Sequence, residues 1–105
     1  MIKTWFPAIE ITYGRMFQAG IADDGTCKYK LFGDGFESAL ETIVSYNVKD
    51  LMYACDEDRT IYLAWLAGEK QELAFARMGH LNRNLKTVEW GPVILPQITC
   101  GSNCN

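Results

Sequence analysis

The most informative stretch of this chain is Ile61-Tyr62-Leu63-Ala64-Trp65-Leu66-Ala67, which carries no charged residue and follows a charged turn at 55–60. Side chains alternate across a strand, so the odd-numbered residues point to one side and the even-numbered residues to the other. A run that is apolar on both sides is typical of a strand that is buried on both faces. The sequence therefore predicts a strand that needs a covering layer on each side.

The composition predicts one folded domain. The chain has 105 residues, of which 49% are hydrophobic and 22% are charged. These values lie in the ordinary globular range, and the length is close to the commonest domain size. We expect a single domain over residues 1–98 and a polar C-terminal tail over residues 99–105.

The net charge of −3 argues against some classes of partner. Nucleic-acid binding normally needs a clustered basic surface, and the only mildly basic stretch, Arg77 to Lys86, is best interpreted as a solvated turn. An acidic surface also disfavours anionic membranes, whereas it suits a basic protein partner. We therefore expect no membrane and no nucleic-acid partner, and we consider a basic protein partner.

The cellular location is predicted from what the chain lacks. The N-terminus has no apolar run long enough for a signal peptide, and no stretch approaches the length of a membrane span. Four cysteines in a chain of this size fall below the density of a disulfide scaffold. We expect a cytoplasmic protein with reduced cysteines.

Two hairpins are predicted from turn residues. Residues 9–21 form an extended run with glycines at 14 and 20, and Asp23-Asp24-Gly25-Thr26 provides a turn before a return strand at 27–32. The second hairpin joins residues 51–55 to residues 60–67 through the acidic turn at 56–59.

Residues 35–46 have the pattern of an amphipathic helix. Asp34 and Glu37 have the spacing of a capping box, and apolar residues recur at 36, 39, 40, 43 and 44. The other side of this helix is polar. We therefore predict one helix that packs on a single face of a sheet.

The segment that follows the second hairpin is compatible with two structures. Residues 69–78 contain many helix-forming residues, but 72–78 also alternate as a strand, which we favour. A last strand is predicted at 86–95, where Pro92 favours an edge position. The predicted fold is α+β, with the order β-β-α-β-β-β-β, an antiparallel sheet and one helix at about 35–46.

No residue set in the sequence indicates a catalytic or metal site. The acidic groups at 23–24 and 56–58 lie in predicted turns, and His80 has no local nucleophile or orienting partner. Cys100 and Cys104 could close a small disulfide loop, but a polar tail is the favoured interpretation, and zinc would need a second ligand pair. We predict no catalytic residues, no metal and no cofactor.

The candidate binding residues are aromatic or large and apolar. With one helix, the fold leaves one sheet face open unless a second subunit or a ligand covers it, and interface centres favour aromatic residues. Tyr62, Leu66 and Trp90 are predicted to line an interface or cavity wall. Tyr53, Trp65 and Phe75 are predicted to line an apolar pocket in an alternative interpretation.

The resulting hypothesis is a non-enzymatic domain that forms a homodimer or binds another protein through its open sheet face. In size, acidity and lack of a catalytic set, the chain is similar to small bacterial or phage accessory proteins such as inhibitors and immunity proteins. The alternative is a small-molecule-binding domain or small enzyme with an apolar pocket between sheet and helix.

Overall fold

The computed structural model describes residues 1–45, 47–69 and 73–94, which form ten strands and no helix. The strands, in chain order, are β1 (Ile2–Trp5), β2 (Ile9–Thr12), β3 (Arg15–Ala22), β4 (Cys27–Gly33), β5 (Phe36–Glu37), β6 (Glu41–Val44), β7 (Val48–Cys55), β8 (Thr60–Ala67), β9 (Leu73–Leu81) and β10 (Val88–Trp90). The strands form two antiparallel sheets. The prediction of an α+β fold is therefore wrong, because the described chain is all-β.

The first sheet is built around the hairpin of β3 and β4. Both β1 and β2 pair along one side of β3, and both β5 and β6 pair along the free side of β4. The predicted turn between β3 and β4 is confirmed: Asp24 Oδ1 accepts the backbone N–H of Thr26 at 3.0 Å, and Gly25 has a positive φ of 85°. The run at 9–21 is not continuous, because it turns at Gly14, which also has a positive φ.

The second sheet is a meander in which β7, β8, β9 and β10 are neighbours in chain order. In its register Leu63 lies between Tyr53 on β7 and Arg77 on β9. The strand interpretation of the ambiguous segment is confirmed from Leu73 onward, and β10 lies at the edge as Pro92 suggested. The charged turn between β7 and β8 is closed by Asp56, whose Oδ1 accepts the N–H groups of Asp58 and Thr60.

The prediction of a helix at 35–46 is wrong, because the described residues 35–45 contain no helix. Asp34 and Gly35 both have positive φ values, of 57° and 77°. The chain therefore makes a turn at the position where the helix was predicted to begin. Residues 36–37 and 41–44 then form β5 and β6 beside β4. The order β-β-α-β-β-β-β is therefore wrong as well.

Strand pairing explains why this segment is not helical. The free edge of β4 offers unpaired N–H and C=O groups, and pairs such as Tyr29 with Glu41 satisfy them. Ser38 also fits an extended chain, because its Oγ accepts the N–H of Leu31 at 2.9 Å. A helix of about twelve residues is marginal without strong packing, and the β-branched residues near its end favour strands.

The core lies between the two sheets. Leu63 and Trp65 on β8 are 1% and 2% exposed, and they belong to one buried cluster with Phe17 and Leu31 of the first sheet. Tyr29 and Trp90 meet edge to face across the two sheets, with ring centroids 5.5 Å apart. The inner face of β8 is thus covered by a sheet, and not by the predicted helix.

Two polar side chains of the second sheet also join the layers. The Tyr53 hydroxyl accepts the N–H of Ala19 at 3.1 Å and donates to the carbonyl of Pro7 at 2.6 Å. This contact lies where the chain passes from β1 to β2, so that Gln18 and Ala19 of β3 have no strand partner on that side and pair only with β4. Arg77 Nη1 donates to the carbonyl of Ile43 at 2.6 Å. These bonds fix the second sheet on the first and leave its other face turned outward.

Candidate functional site

The candidate site is the outward face of the second sheet, on the side away from the core. Cross-strand pairing places its residues in three rows: Ala54, Tyr62 and Met78; then Met52, Ala64, Ala76 and Ile94; then Asp50, Leu66 and Ala74. We refer to these ten residues as the outer face. Nine of the ten are apolar or aromatic, and β8 contributes the even-numbered residues of the apolar stretch Ile61 to Ala67.

Large apolar side chains of the outer face are exposed to solvent. Met52 is 69% exposed, Ile94 52%, Met78 46% and Tyr62 43%. A solvated antiparallel sheet face normally carries polar residues, and contiguous apolar patches often mark binding sites. No described element packs on this face, so the cover that the sequence predicts for it is not provided by residues 1–45, 47–69 or 73–94.

The centre of the outer face is a depression. Ala64 and Ala76 form its floor, since their side chains end at Cβ, and larger residues surround them: Met52, Tyr62, Leu66, Met78 and Ile94. Two shallow cavities, of about 290 and 350 Å³, meet at Met52 and Ala64. The depression can therefore receive a bulky apolar side chain from a partner.

One end of the outer face is polar. The next row joins Thr60, His80 and Glu89, and Thr60 Oγ1 lies 3.4 Å from His80 Nδ1. The Tyr62 hydroxyl donates to Asp56 Oδ2 at 2.7 Å. This hydrogen bond lowers the pKa of the Asp56 carboxyl and raises the pKa of the Tyr62 hydroxyl. The hydrogen bond therefore favours the charged form of Asp56.

The charges around the outer face are mainly negative. Asp50 stands at one end, and Asp56 and Glu89 stand at the other. Among the described residues, no lysine or arginine occupies an outward position in the three rows or in the polar row. The outer face thus combines an apolar centre with acidic ends.

A separate polar concavity of about 430 Å³ lies beyond His80. It is lined by residues of the two hairpin loops: Glu57, Asp58, Arg59, His80, Leu81, Asn82 and Arg83. Its charges are mixed, and its acids belong to the turn at 56–59. In the described part of the chain, no group of three or more histidine, cysteine or acidic residues is placed to hold a metal ion.

The acidic groups singled out in the sequence have structural roles in turns. Asp24 Oδ1 accepts both the N–H and the hydroxyl of Thr26. These bonds lower the pKa of Asp24, as the Tyr62 hydroxyl does for Asp56. Both carboxylates therefore close hairpins, which matches their interpretation as turn residues.

The six residues predicted as interface or pocket positions divide between the two faces of the second sheet. Tyr62 and Leu66 lie on the outer face. Trp65 is buried in the core, and Tyr53, Phe75 and Trp90 pack against the core from partly buried positions. The Trp65 and Phe75 rings stack at 5.7 Å, so they fill space between the layers. Cys100 and Cys104, the predicted disulfide, lie outside the described residues.

Sequence reasoning missed most of the outer face. Met52, Met78 and Ile94 are not among the residues predicted to line an interface or pocket, and neither are the alanines of the depression. Strand register is the signal that could identify them. Met52 and Met78 each lie two residues from an alanine on the same strand, so they point to the same outward face as the alanines. That register becomes visible only after the 73–81 segment is placed beside β8.

No protein-family model matches this chain, and comparison with the curated proteins and with the solved structures gives no significant match. Among the described residues, no helix has the length and hydropathy needed to cross a membrane.

Proposed function

We propose that this protein is a non-catalytic binding module that docks another protein on the outer face of its second sheet. The observation that carries the proposal is the exposure of Met52, Tyr62, Met78 and Ile94 around a floor of alanines. A depression with adaptable walls is suited to a protein partner, because methionine side chains adjust to varied apolar shapes.

The size of the outer face supports a modest binding free energy. Four strands about 4.8 Å apart and five residues of about 3.4 Å rise give an area of roughly 300 Å². At about 25 cal/mol per Å², covering this area contributes roughly 7 kcal/mol before the costs of association. Such a face suits a partner that binds and dissociates.

The polar end of the outer face supports binding over catalysis. The oxygens of Asp56 are occupied by N–H groups of its own turn and by the Tyr62 hydroxyl. The remaining contact, between Thr60 and His80, is long at 3.4 Å and lies at an exposed strand end. These groups can orient a partner through hydrogen bonds and charge.

The test is site-specific photo-crosslinking in cells that naturally produce the protein. A photoreactive phenylalanine analogue replaces Met52, Tyr62 or Ile94, one position at a time. Thr42, which is exposed on β6 of the first sheet, is the matched control. We expect the same protein, identified by mass spectrometry, to be attached at all three outer-face positions and not at Thr42.

Two results would contradict the proposal. Outer-face positions that give no more product than Thr42 would show that nothing docks there. A product containing two copies of this chain would identify the outer face as a homodimer interface, which is the other form of the hypothesis drawn from the sequence.

A further inference from the structure

We propose that the partner of the outer face is a basic protein segment, which inserts a bulky apolar side chain into the central depression and places lysine or arginine residues at the acidic ends. This inference rests on the proposed function, because it specifies the chemistry of the docked protein. It is carried by the distribution of charge around the apolar centre.

The two ends of the outer face carry carboxylates. Asp50 pairs with Leu66 at one end, and Glu89 pairs with His80 at the other, where Asp56 also lies. The distance between the ends follows from the register, since six residues of a strand span about 20 Å. A partner segment that crosses the depression along the strands therefore meets a negative charge at each end.

Acids outnumber cations at both ends of the outer face. Lys3 and Lys49 line the same cavity as Asp50, and Asp23 and Asp24 line it as well. Arg59 and Arg83 line the polar concavity that reaches His80, together with Glu57 and Asp58. Carboxylates therefore flank the apolar centre. They favour a basic partner, because they attract it during approach and can form ion pairs with it at the edge of the interface.

The same charges disfavour a second copy of this chain. If a two-fold axis ran along the strands, the ends that carry Asp50 would meet at one end of the dimer, and the ends that carry Asp56 and Glu89 would meet at the other. If the axis ran across the strands, Asp50 would face the end that carries Asp56 and Glu89. Both arrangements oppose carboxylates, which is unfavourable at an interface.

The dimensions of the depression fit a single protein segment. Ala64 and Ala76 are neighbours on adjacent strands, about 5 Å apart, and Met52 and Ile94 flank them on either side. An α-helix with its side chains is about 10 Å wide, which is less than the width of four strands. One apolar residue of such a helix can enter the depression while its flanking residues reach the ends.

The test uses two synthetic peptides as probes. Both have about 14 residues, are held helical by a side-chain staple because free helices of this length are marginal, and share one face of leucines. One carries lysines and the other glutamates at the flanking positions. Each is labelled and titrated with the native chain, and binding is followed by fluorescence anisotropy. We expect the lysine peptide to bind at least about tenfold more tightly at low salt, and this preference to shrink as salt is added.

Variants of the chain locate the binding. The double variant Asp50→Asn with Glu89→Gln should weaken the lysine peptide roughly fivefold. The control, Asp34→Asn with Glu37→Gln, removes the same charge from the first sheet and should leave binding unchanged. Ala64→Lys fills the depression and should weaken binding at least about tenfold, whereas Thr42→Lys should not. Far-UV circular dichroism confirms that each variant is folded.

Each outcome separates this inference from the proposed function. Equal or tighter binding of the glutamate peptide, or insensitivity to Ala64→Lys, would overturn the basic-partner inference. If neither peptide binds but photo-crosslinking at the outer face captures a partner, the inference fails and the proposed function stands. If both experiments are negative, both proposals fail.

Discussion

Leu63 and Leu66 lie on the same strand and point to opposite faces of the second sheet, so their truncation to alanine compares a covered face with an open one. Leu63 is 1% exposed and belongs to the core between the sheets, whereas Leu66 is partly exposed on the outer face. The two changes remove the same atoms. Any difference in the free energy of unfolding therefore reports on what covers each face.

The magnitude follows from burial. Leu63→Ala loses a fully buried side chain and leaves a cavity between two packed layers, which costs about 3 kcal/mol. Leu66→Ala loses only partial burial and leaves no enclosed cavity, so we expect about 1 kcal/mol or less. For a domain near 100 residues, the Leu63 variant should also lower the Tm by about 12 °C or more.

The assay is urea denaturation followed by tryptophan fluorescence, with equal m values as the condition for comparing the two variants. The native chain provides the reference. Equal costs for Leu63→Ala and Leu66→Ala would refute the reasoning, because they would show that the outer face is packed within the monomer. A cost below about 1 kcal/mol for Leu63→Ala would refute the packing of the two sheets.

Three further predictions concern contacts within the sandwich. Tyr53→Phe removes the hydroxyl that bonds to both β3 and the carbonyl of Pro7. It should lower the free energy of unfolding, measured by urea denaturation, by about 1 to 3 kcal/mol. An unchanged free energy of unfolding would contradict the structural role of these two hydrogen bonds. Burial raises the pKa of the Cys27 thiol from 9.0 to about 12, so the folded state favours the neutral thiol. The resulting contribution to stability is present below pH 9 and is lost as the pH rises toward 12. Cys27→Ala should therefore reduce the fall in Tm at alkaline pH, and an unchanged fall in Tm would contradict this. Gly79→Ala would place a Cβ 2.5 Å from Cε3 of Trp90. The resulting overpacking should lower the free energy of unfolding by about 1 to 3 kcal/mol. A Tm equal to that of the native chain would contradict the placement of β10.

The strand at 60–67 was predicted correctly because a continuous apolar run and the turn residues before it are local signals. The Asp23–Thr26 turn was predicted for the same reason, since its side-chain hydrogen bonds involve residues close in sequence. The prediction of a helix at 35–46 was wrong because two short strands also bury apolar residues of this segment. Ile43 and Val44, for example, are both buried in β6. The free edge of β4 decided between these structures, and its position depends on tertiary contacts.

The candidate site was predictable only in part. Alternation placed Tyr62 and Leu66 on the outward side of β8, but it gave no information on which residues stand beside them. Met52 and Ile94 join the site through pairing with β8 and β9, and these pairings connect residues that are distant in sequence. Trp90 was selected for its size, yet the register turns it toward Tyr29 in the core.

The most direct test of the outer face as a docking surface is hydroxyl-radical footprinting of methionine, in the purified chain and in cells that naturally produce it. Met52 and Met78 are 69% and 46% exposed, and Met1, at 96%, is an internal reference. We expect strong oxidation of Met52 and Met78 in the purified chain, and protection of both relative to Met1 in cells. Equal oxidation of Met52 and Met78 in the two settings would contradict it.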